Sequence, residues 1–390
     1  RQRQMCIRDS PMDVQKAVID FEYPEKCEIR SYKPTTKGNY VQVRRVMAAL
    51  EEAEKPLICI GGGVFAAHAE NEIRELADLM QIPVITTMMG ISVFPDDDPL
   101  FCGMIGTHGV KMANAAVNEC DVLFLVGARV GDRAVKTPLA LEKTTKIIHI
   151  DIDPAEIGKN IGADLPLVGD AKLVLQQMTE LAKPMKHDEW IAHIKTLGGE
   201  RKYVEPAKGT VNPRVFIDRL AKKMPANVTV VADVGQNQIW TCTEYKFRKE
   251  GRLLTSGGMG TMGYSVPAAI GAKMADNSRA TVAICGDGAF QMSFMELATA
   301  VQFGVDIKVV VMTNNRLGMV RELQTNGYHD RQTAVFLDGS PDFIKLAEAY
   351  GIPAMRVYDD DTMDKGIEML AEHKGICLVE VVVDKDMPTL

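Results

Sequence analysis

What this 390-residue sequence lacks narrows it first. No apolar run approaches the length of a membrane-spanning helix, so an integral helical membrane protein is set aside and no membrane partner is expected. There is no basic surplus: 45 Lys and Arg stand against 52 Asp and Glu, a net charge of −7, which argues against a nucleic-acid partner. The eight cysteines (Cys6, Cys27, Cys59, Cys102, Cys120, Cys242, Cys285 and Cys377) form no C-x-x-C pair, and the seven histidines show no H-x-x-x-H spacing. Neither a disulfide framework nor a zinc cage is expected from them. Several of these cysteines sit in apolar stretches, where reduced thiols act as small buried hydrophobes. The expectation is a cytoplasmic protein.

What is present is the composition of a globular protein, 46% hydrophobic and 25% charged, in a chain long enough for two or three domains. From residue 39 to 182 strand and helix patterns alternate. Pro56-Leu57-Ile58-Cys59-Ile60 reads as a strand ending in Gly61-Gly62-Gly63, Ala66 to Met80 as a helix, and residues 82–86, 121–126 and 146–151 as further strands. Residues 183–210 read as a linker opened by Lys183-Pro184, with a short helix at Asp188 and with His187 and His193 solvated. Residues 211–390 form a second domain, its first strand running from Asn227 to Asp233 and a polar, weakly periodic stretch from Arg316 to Asp338. The fold class is α/β, with two doubly wound parallel-sheet domains, the central one Rossmann-like.

The densest stretch runs from Ala283 to Met319. Two continuous apolar runs, Thr281 to Cys285 and Ile307 to Thr313, suit strands of a sheet covered on both faces, whose ligands gather at the strands' carboxyl ends. Asp287 stands at one such end and Asn314 at the other. Gly286 and Gly288 let the backbone approach a bulky anion, and the helix that follows presents its N-terminal amides. One carboxylate and one amide oxygen beside such a turn suit a magnesium diphosphate, because Mg2+ takes few protein oxygens and completes its octahedron from phosphates. Gly235-Gln236-Asn237 after the first strand offers a further anion turn, through amides and the Gln236 side chain. Glycines between Ser256 and Gly263 suit close approach to a planar ligand. Either half of the Asp287/Asn314 pair alone is an ordinary turn or strand exit; the pair together carries the reading.

Gly-Asp-Gly followed a helix and a strand later by Asn-Asn resembles the thiamine-diphosphate signature. MELATAVQFGVDIKVVVMTNNRLGMVRELQ is similar to the large, catalytic subunit of the acetolactate synthase family. The resemblance implies that Gly235, Gln236, Asn237, Gly260, Met262, Gly286, Asp287, Gly288, Ala289 and Asn314 hold thiamine diphosphate. Asp287, Asn314 and the carbonyl of Arg316 would hold Mg2+. Gly260 would accept from the aminopyrimidine, and Met262 would keep the cofactor bent. Asn237 stands where relatives usually carry His, and Leu323 where many carry Trp. In the central domain the resemblance places FAD, without a redox task, on Gly61, Gly62, Gly63, His108, Gly127, Arg129, Arg133 and Asp151, although a tight turn explains the triple glycine equally well. Arg133 would also meet the carboxylate of an incoming 2-oxo acid.

The implied reaction decarboxylates pyruvate and transfers the two-carbon unit to a second 2-oxo acid, pyruvate or 2-oxobutyrate, in branched-chain amino acid synthesis. The implied assembly is a homodimer or tetramer with a regulatory small subunit. Glyoxylate carboligase and similar enzymes share the architecture, and a non-catalytic cofactor-binding fragment is the reading from another class. The family's glutamate at the cofactor pyrimidine belongs to a domain preceding Pro11. Residues 1–10 are therefore read as a foreign or mis-joined start, the rest of 1–38 as a remnant strand of that domain, and the chain alone is expected to be inactive.

Overall fold

A computed structural model describes residues 11–26, 29–30, 32–199 and 203–390. The reading of residues 1–10 lies outside the described residues, as do Cys6 and Cys27. The chain divides into two units, 1–34 and 35–390. In the first, Met12–Lys16 form a short helix with no buried residue, where an extended strand was expected. Pro11 before the first turn, Asp13 within it and Lys16 at its end suit a helix.

The second unit holds two sheets of six parallel strands. The first comprises β1 (Pro56–Ile60), β2 (Val84–Thr86), β3 (Phe101–Met104), β4 (Val122–Val126), β5 (Lys146–Asp151) and β6 (Leu165–Val168), in the order β3-β2-β1-β4-β5-β6. The second comprises β7 (Thr229–Ala232), β8 (Arg252–Thr255), β9 (Thr281–Gly286), β10 (Lys308–Thr313), β11 (Ala354–Val357) and β12 (Cys377–Val382), in the order β11-β12-β10-β9-β7-β8. Continuous apolar runs make such strands because both faces are covered. β4 sends Leu123 and Leu125 into one core and Val122, Phe124 and Val126 into the other. β9 divides Val282 and Ile284 from Ala283 and Cys285 in the same way. Six cysteines among the described residues are free and buried. No helix among those residues is long and apolar enough to cross a membrane.

Four local expectations are corrected. The helix expected from Ala66 to Met80 is two pieces, Gly63–Ala66 and Glu70–Met80, separated where His68 turns left-handed at φ 51°. The helix after Gly-Asp-Gly is likewise broken, into Asp287–Phe290, a 3-10 turn Phe294–Glu296, and Leu297–Gln302. The polar stretch after Arg316 contains a helix, Gly318–Gly327, whose only buried residues are Gly318 and Arg321. His187 is buried rather than solvated, with Nδ1 3.0 Å from the Met80 carbonyl oxygen. Nearby, Trp190 donates to the Pro56 carbonyl at 3.0 Å, so the helix Asp188–Thr196 packs on the start of β1.

The two sheets are joined along β8. Ser92 Oγ accepts from Leu253 N at 3.0 Å. Asp96 N donates to the Phe247 carbonyl, and Phe247 N donates to the Asp96 carboxylate, each at 2.8 Å.

Candidate functional site

In the second sheet the chain leaves β7 for β8 on one side and returns as β9 and β10 on the other. The β7/β9 boundary is therefore a switch point, where a cleft opens at the strands' carboxyl ends. Gly235 follows β7 at φ 143°, a conformation that side chains avoid, and the helix Gln236–Glu244 begins there. Asn237, 3% exposed, clamps the boundary: its Nδ2 donates to the carbonyls of Asp233 (2.8 Å) and Ile284 (3.2 Å).

Beyond β9, Asp287 is 2% exposed and its carboxylate is held by backbone amides. Gly288 N donates to Oδ1 at 2.8 Å; Asn314 N and Asn315 N donate to Oδ2 at 3.1 and 2.6 Å. Asn315 reaches this arrangement at φ 54°, a left-handed conformation that asparagine tolerates, so successive amides converge on one oxygen as in an anion nest. The second asparagine of the pair acts through its backbone. A Cβ added at Gly288 would lie 2.8 Å from Leu317 Cδ2 and 3.3 Å from Met262 Cε. At Gly318 it would lie 1.8 Å from Gln236 Oε1. A side chain at either glycine would push aside the side chains that shape the cleft.

The resulting cleft encloses about 550 Å³ when its open mouth is counted. It brings together Gly235, Gln236, Asn237, Met262, Gly286, Asp287, Gly288, Ala289, Asn314 and Arg316. Gly260 does not line it. That residue is exposed at φ 66°, with its amide donating to the Ser256 carbonyl at 2.9 Å. Two side chains differ from expectation in what they hold. Gln236 donates from Nε2 to the Met387 carbonyl (2.9 Å) and Thr389 Oγ1 (3.2 Å), while its Oε1 accepts from Asn314 Nδ2 at 3.1 Å. Asn237 has both amide hydrogens committed to the clamp, which leaves its backbone rather than its side chain to face an anion. The Arg316 guanidinium pairs with Asp338 at 2.8 Å and lies over Phe336 at 4.7 Å.

Burial pushes the Asp287 carboxyl up to about 6, against the amides of Asn315, Gly288 and Asn314 that favour its anion. A carboxylate offers about four acceptor positions, of which three are occupied here, so Asp287 keeps capacity for a cation. Asn314 Oδ1 accepts from Arg316 N at 3.0 Å and also retains a lone pair. Among the described residues no three His, Cys, Asp or Glu side chains gather as a metal cluster. This donor set fits a hard cation that completes its shell from a phosphate ligand, such as Mg2+.

Asp233 was not singled out from the sequence. It is fully buried, and its carboxylate accepts from Val234 N (2.9 Å), Gly263 N (3.0 Å) and Ser265 N (2.8 Å). The available signal was an acidic residue closing an apolar strand just before a glycine turn.

The first sheet has its own switch point, between β1 and β4. Gly61 N donates to the Val126 carbonyl and Gly63 N to that of Gly127, both at 3.0 Å. A Cβ on Gly61 would sit 2.1 Å from the Gly127 oxygen, so these glycines are required by backbone contact alone. Arg129 and Arg133 are exposed, and neither guanidinium has a partner among the described residues. Asp151 ends β5, its Oδ1 accepting from Asp153 N at 2.9 Å. Thr107 N donates to the Arg133 carbonyl at 2.8 Å and ties the His108 loop to the arginine segment. Burial lowers the His108 pKa, opposed by Glu322 on the helix Gly318–Gly327 and assisted by Arg133. Two unpaired guanidinia and a strand-end carboxylate fit a dinucleotide carrying a diphosphate and a ribose.

Two sequence families match the chain: "Thiamine pyrophosphate enzyme, central domain" over residues 43–178, and "Thiamine pyrophosphate enzyme, C-terminal TPP binding domain" over residues 233–381. Among similar proteins, the "Probable acetolactate synthase large subunit" of Methanocaldococcus jannaschii is 40% identical, across 96% of this chain and 66% of its own length. The "Acetolactate synthase" of Arthrospira platensis is 39% identical, across 97% of this chain and 67% of its own. The "Acetolactate synthase large subunit" of Corynebacterium glutamicum is also 39% identical, across 97% and 62%. The chain thus spans about two thirds of the length of the curated relatives it matches.

Proposed function

Because the chain belongs to the acetolactate synthase large-subunit family of thiamine pyrophosphate enzymes, we propose that it carries the diphosphate and flavin half of a catalyst that converts pyruvate to 2-acetolactate, or pyruvate and 2-oxobutyrate to 2-aceto-2-hydroxybutyrate. The observation that supports this most is the convergence of Asp287, Asn314 and the Gly235 turn on one cleft. Thiamine diphosphate, when bound, supplies the electron sink that decarboxylation of a 2-oxo acid needs. This chain's residues bind and orient it. The Asp287 carboxylate, Asn314 Oδ1 and the Arg316 carbonyl hold Mg2+, and the amides at Gly235–Asn237 and Gly288–Ala289 face the diphosphate. Met262 sets the bend of the cofactor, and Gly260 accepts from its aminopyrimidine.

In this reading residues 39–182 bind FAD as a structural group through Gly61–Gly63, His108, Gly127, Arg129 and Asp151, residues 183–210 connect, and residues 211–390 bind the diphosphate. Arg133 meets the carboxylate of the 2-oxo acid. The pyrimidine-side glutamate comes from a domain other than these two, and the assembly is a homodimer or tetramer with a regulatory small subunit. Six buried free thiols suit a reducing compartment, the cytoplasm.

The test is acetolactate formation from pyruvate with thiamine diphosphate, Mg2+ and FAD, on this chain and on the chain joined to a related pyrimidine domain. Activity in the joined form supports the proposal. No activity there, together with no Mg2+-dependent binding of thiamine diphosphate to either form, would sink it.

A further inference from the structure

The buried carboxylate of Asp233 has no part in the cleft lining, yet it is the point from which the cleft's thioether wall hangs. Its Oδ1 accepts from Gly263 N and its Oδ2 from Ser265 N, at 3.0 and 2.8 Å. These two amides bracket Tyr264 and follow directly on Met262. Gly263 itself is at φ 84°, so the chain reverses at the residue that carries the first of those bonds. Met262 then reaches across to the Gly-Asp-Gly turn, its Cε 3.3 Å from where a Cβ of Gly288 would be. On its other side Asp233 belongs to the end of β7: its own carbonyl accepts from Asn237 Nδ2 at 2.8 Å, and its Oδ1 accepts from Val234 N at 2.9 Å, next to Gly235. One residue therefore fixes the distance between the anion turn and the methionine. No side chain at the N-cap, Tyr264, caps the helix Ser265–Ala275, and the Asp233 anion stands at that positive end instead.

We propose that Asp233 is a positioning residue for thiamine diphosphate: it sets the place of Met262 relative to the diphosphate turn, and so governs recognition of the thiamine end of the cofactor but not of its diphosphate. The inference rests on the function proposed above. An asparagine could not replace it fully, because one of its two side-chain ends would present N–H groups to N–H donors.

The test separates the two ends of the ligand. Calorimetric titration of the whole chain with Mg2+ compares affinity for thiamine diphosphate with affinity for inorganic pyrophosphate. Asp233→Ala should weaken thiamine diphosphate by about tenfold and pyrophosphate by less than about twofold, with Asp233→Asn between it and the wild type. Asn212→Ala removes a different cap in the same domain, where Asn212 Oδ1 accepts from Arg214 N and Val215 N. That variant should melt earlier yet keep the wild-type affinity ratio, which separates positioning from general destabilisation. If Asp233→Ala does not fold, Asp233→Asn is tested with and without Met262→Ala; the ratio should shift in the first background and not in the second.

Equal loss of both ligands, an unchanged ratio, or the same shift with Met262 absent would overturn the inference and leave the cofactor site standing. Failure of the wild type to bind either ligand with Mg2+ would remove the site and the inference together.

Discussion

The two switch points share a topology and differ in what fills them. At β1/β4 the turns close on each other through glycine, backbone against backbone, and the chemistry is left to arginines on the rim. At β7/β9 the turns are held apart by a clamp of buried polar groups, Asp233, Asn237, Gln236 and Asp287, and a cleft remains between them. The topology places loops at a crevice; the residues at the strand ends decide how much room is left in it and which groups line that room. Glycines have correspondingly different meanings. Gly61 is glycine because another backbone lies against it, whereas Gly288 and Gly318 are glycine because the side chains that shape the cleft do.

The sharpest way to break the comparison is Asp287→Ala. Mg2+-dependent binding of thiamine diphosphate should fall by at least about 100-fold in calorimetry, with FAD fluorescence quenching by the first sheet unchanged, since charge-assisted contacts and a metal ligand are lost together. Retained Mg2+-dependent binding would remove Asp287 from the metal shell. Gly61→Ala should do the reverse, costing about 1–3 kcal/mol of stability in chemical denaturation and weakening FAD before thiamine diphosphate. A variant as stable as the wild type would show that the β1/β4 contact is softer than its 2.1 Å approach implies.

Acidity gives a graded test. The folded Asp287 carboxyl lies at about 6, above its ordinary value of 3.8, because burial disfavours the anion. The native state therefore binds this proton more readily than the unfolded chain. Its contribution to stability is full below pH 3.8 and is lost as pH rises through about 6, and the loss should be absent in Asp287→Ala. A cation competes for the same carboxylate, so Mg2+-dependent affinity should drop by about tenfold per pH unit below 6 and be flat above it. Affinity independent of pH between 5 and 8 would contradict the assignment. The smallest effect is expected on the rim of the first sheet. Arg129→Ala and Arg133→Ala should each weaken FAD by about three- to tenfold, while moving stability by less than about 0.5 kcal/mol.

Much of this was legible in the sequence for a physical reason. A strand buried on both faces is apolar along nearly all of its length, so β1, β4, β9 and β10 announce themselves, and each leads into a loop rich in turn and polar residues. Asp287 and Asn314 could be paired because parallel strands put their ends at one edge. What the sequence hid depends on contacts with distant residues. Asp233 is joined to Gly263 and Ser265 across 30 and 32 positions, and its place at a strand end before a glycine turn does not reveal those partners. The helix Gly318–Gly327 is short and mostly exposed; its few apolar residues are set among polar ones, and it ends in Asn326-Gly327, which reads as a turn. His187 looks like a solvated linker residue until the Met80 carbonyl oxygen is found beside it.

The bonds that Ser92 and Asp96 make to the second sheet also bear on how the chain reaches its native state. β8 is the outermost strand there, and an uncovered outer strand is a template on which other chains can assemble. Its guard is carried by the other sheet, on a segment that comes some 150 positions earlier in the chain. During synthesis the guard leaves the ribosome before the strand it shields, so its partner groups exist by the time β8 emerges.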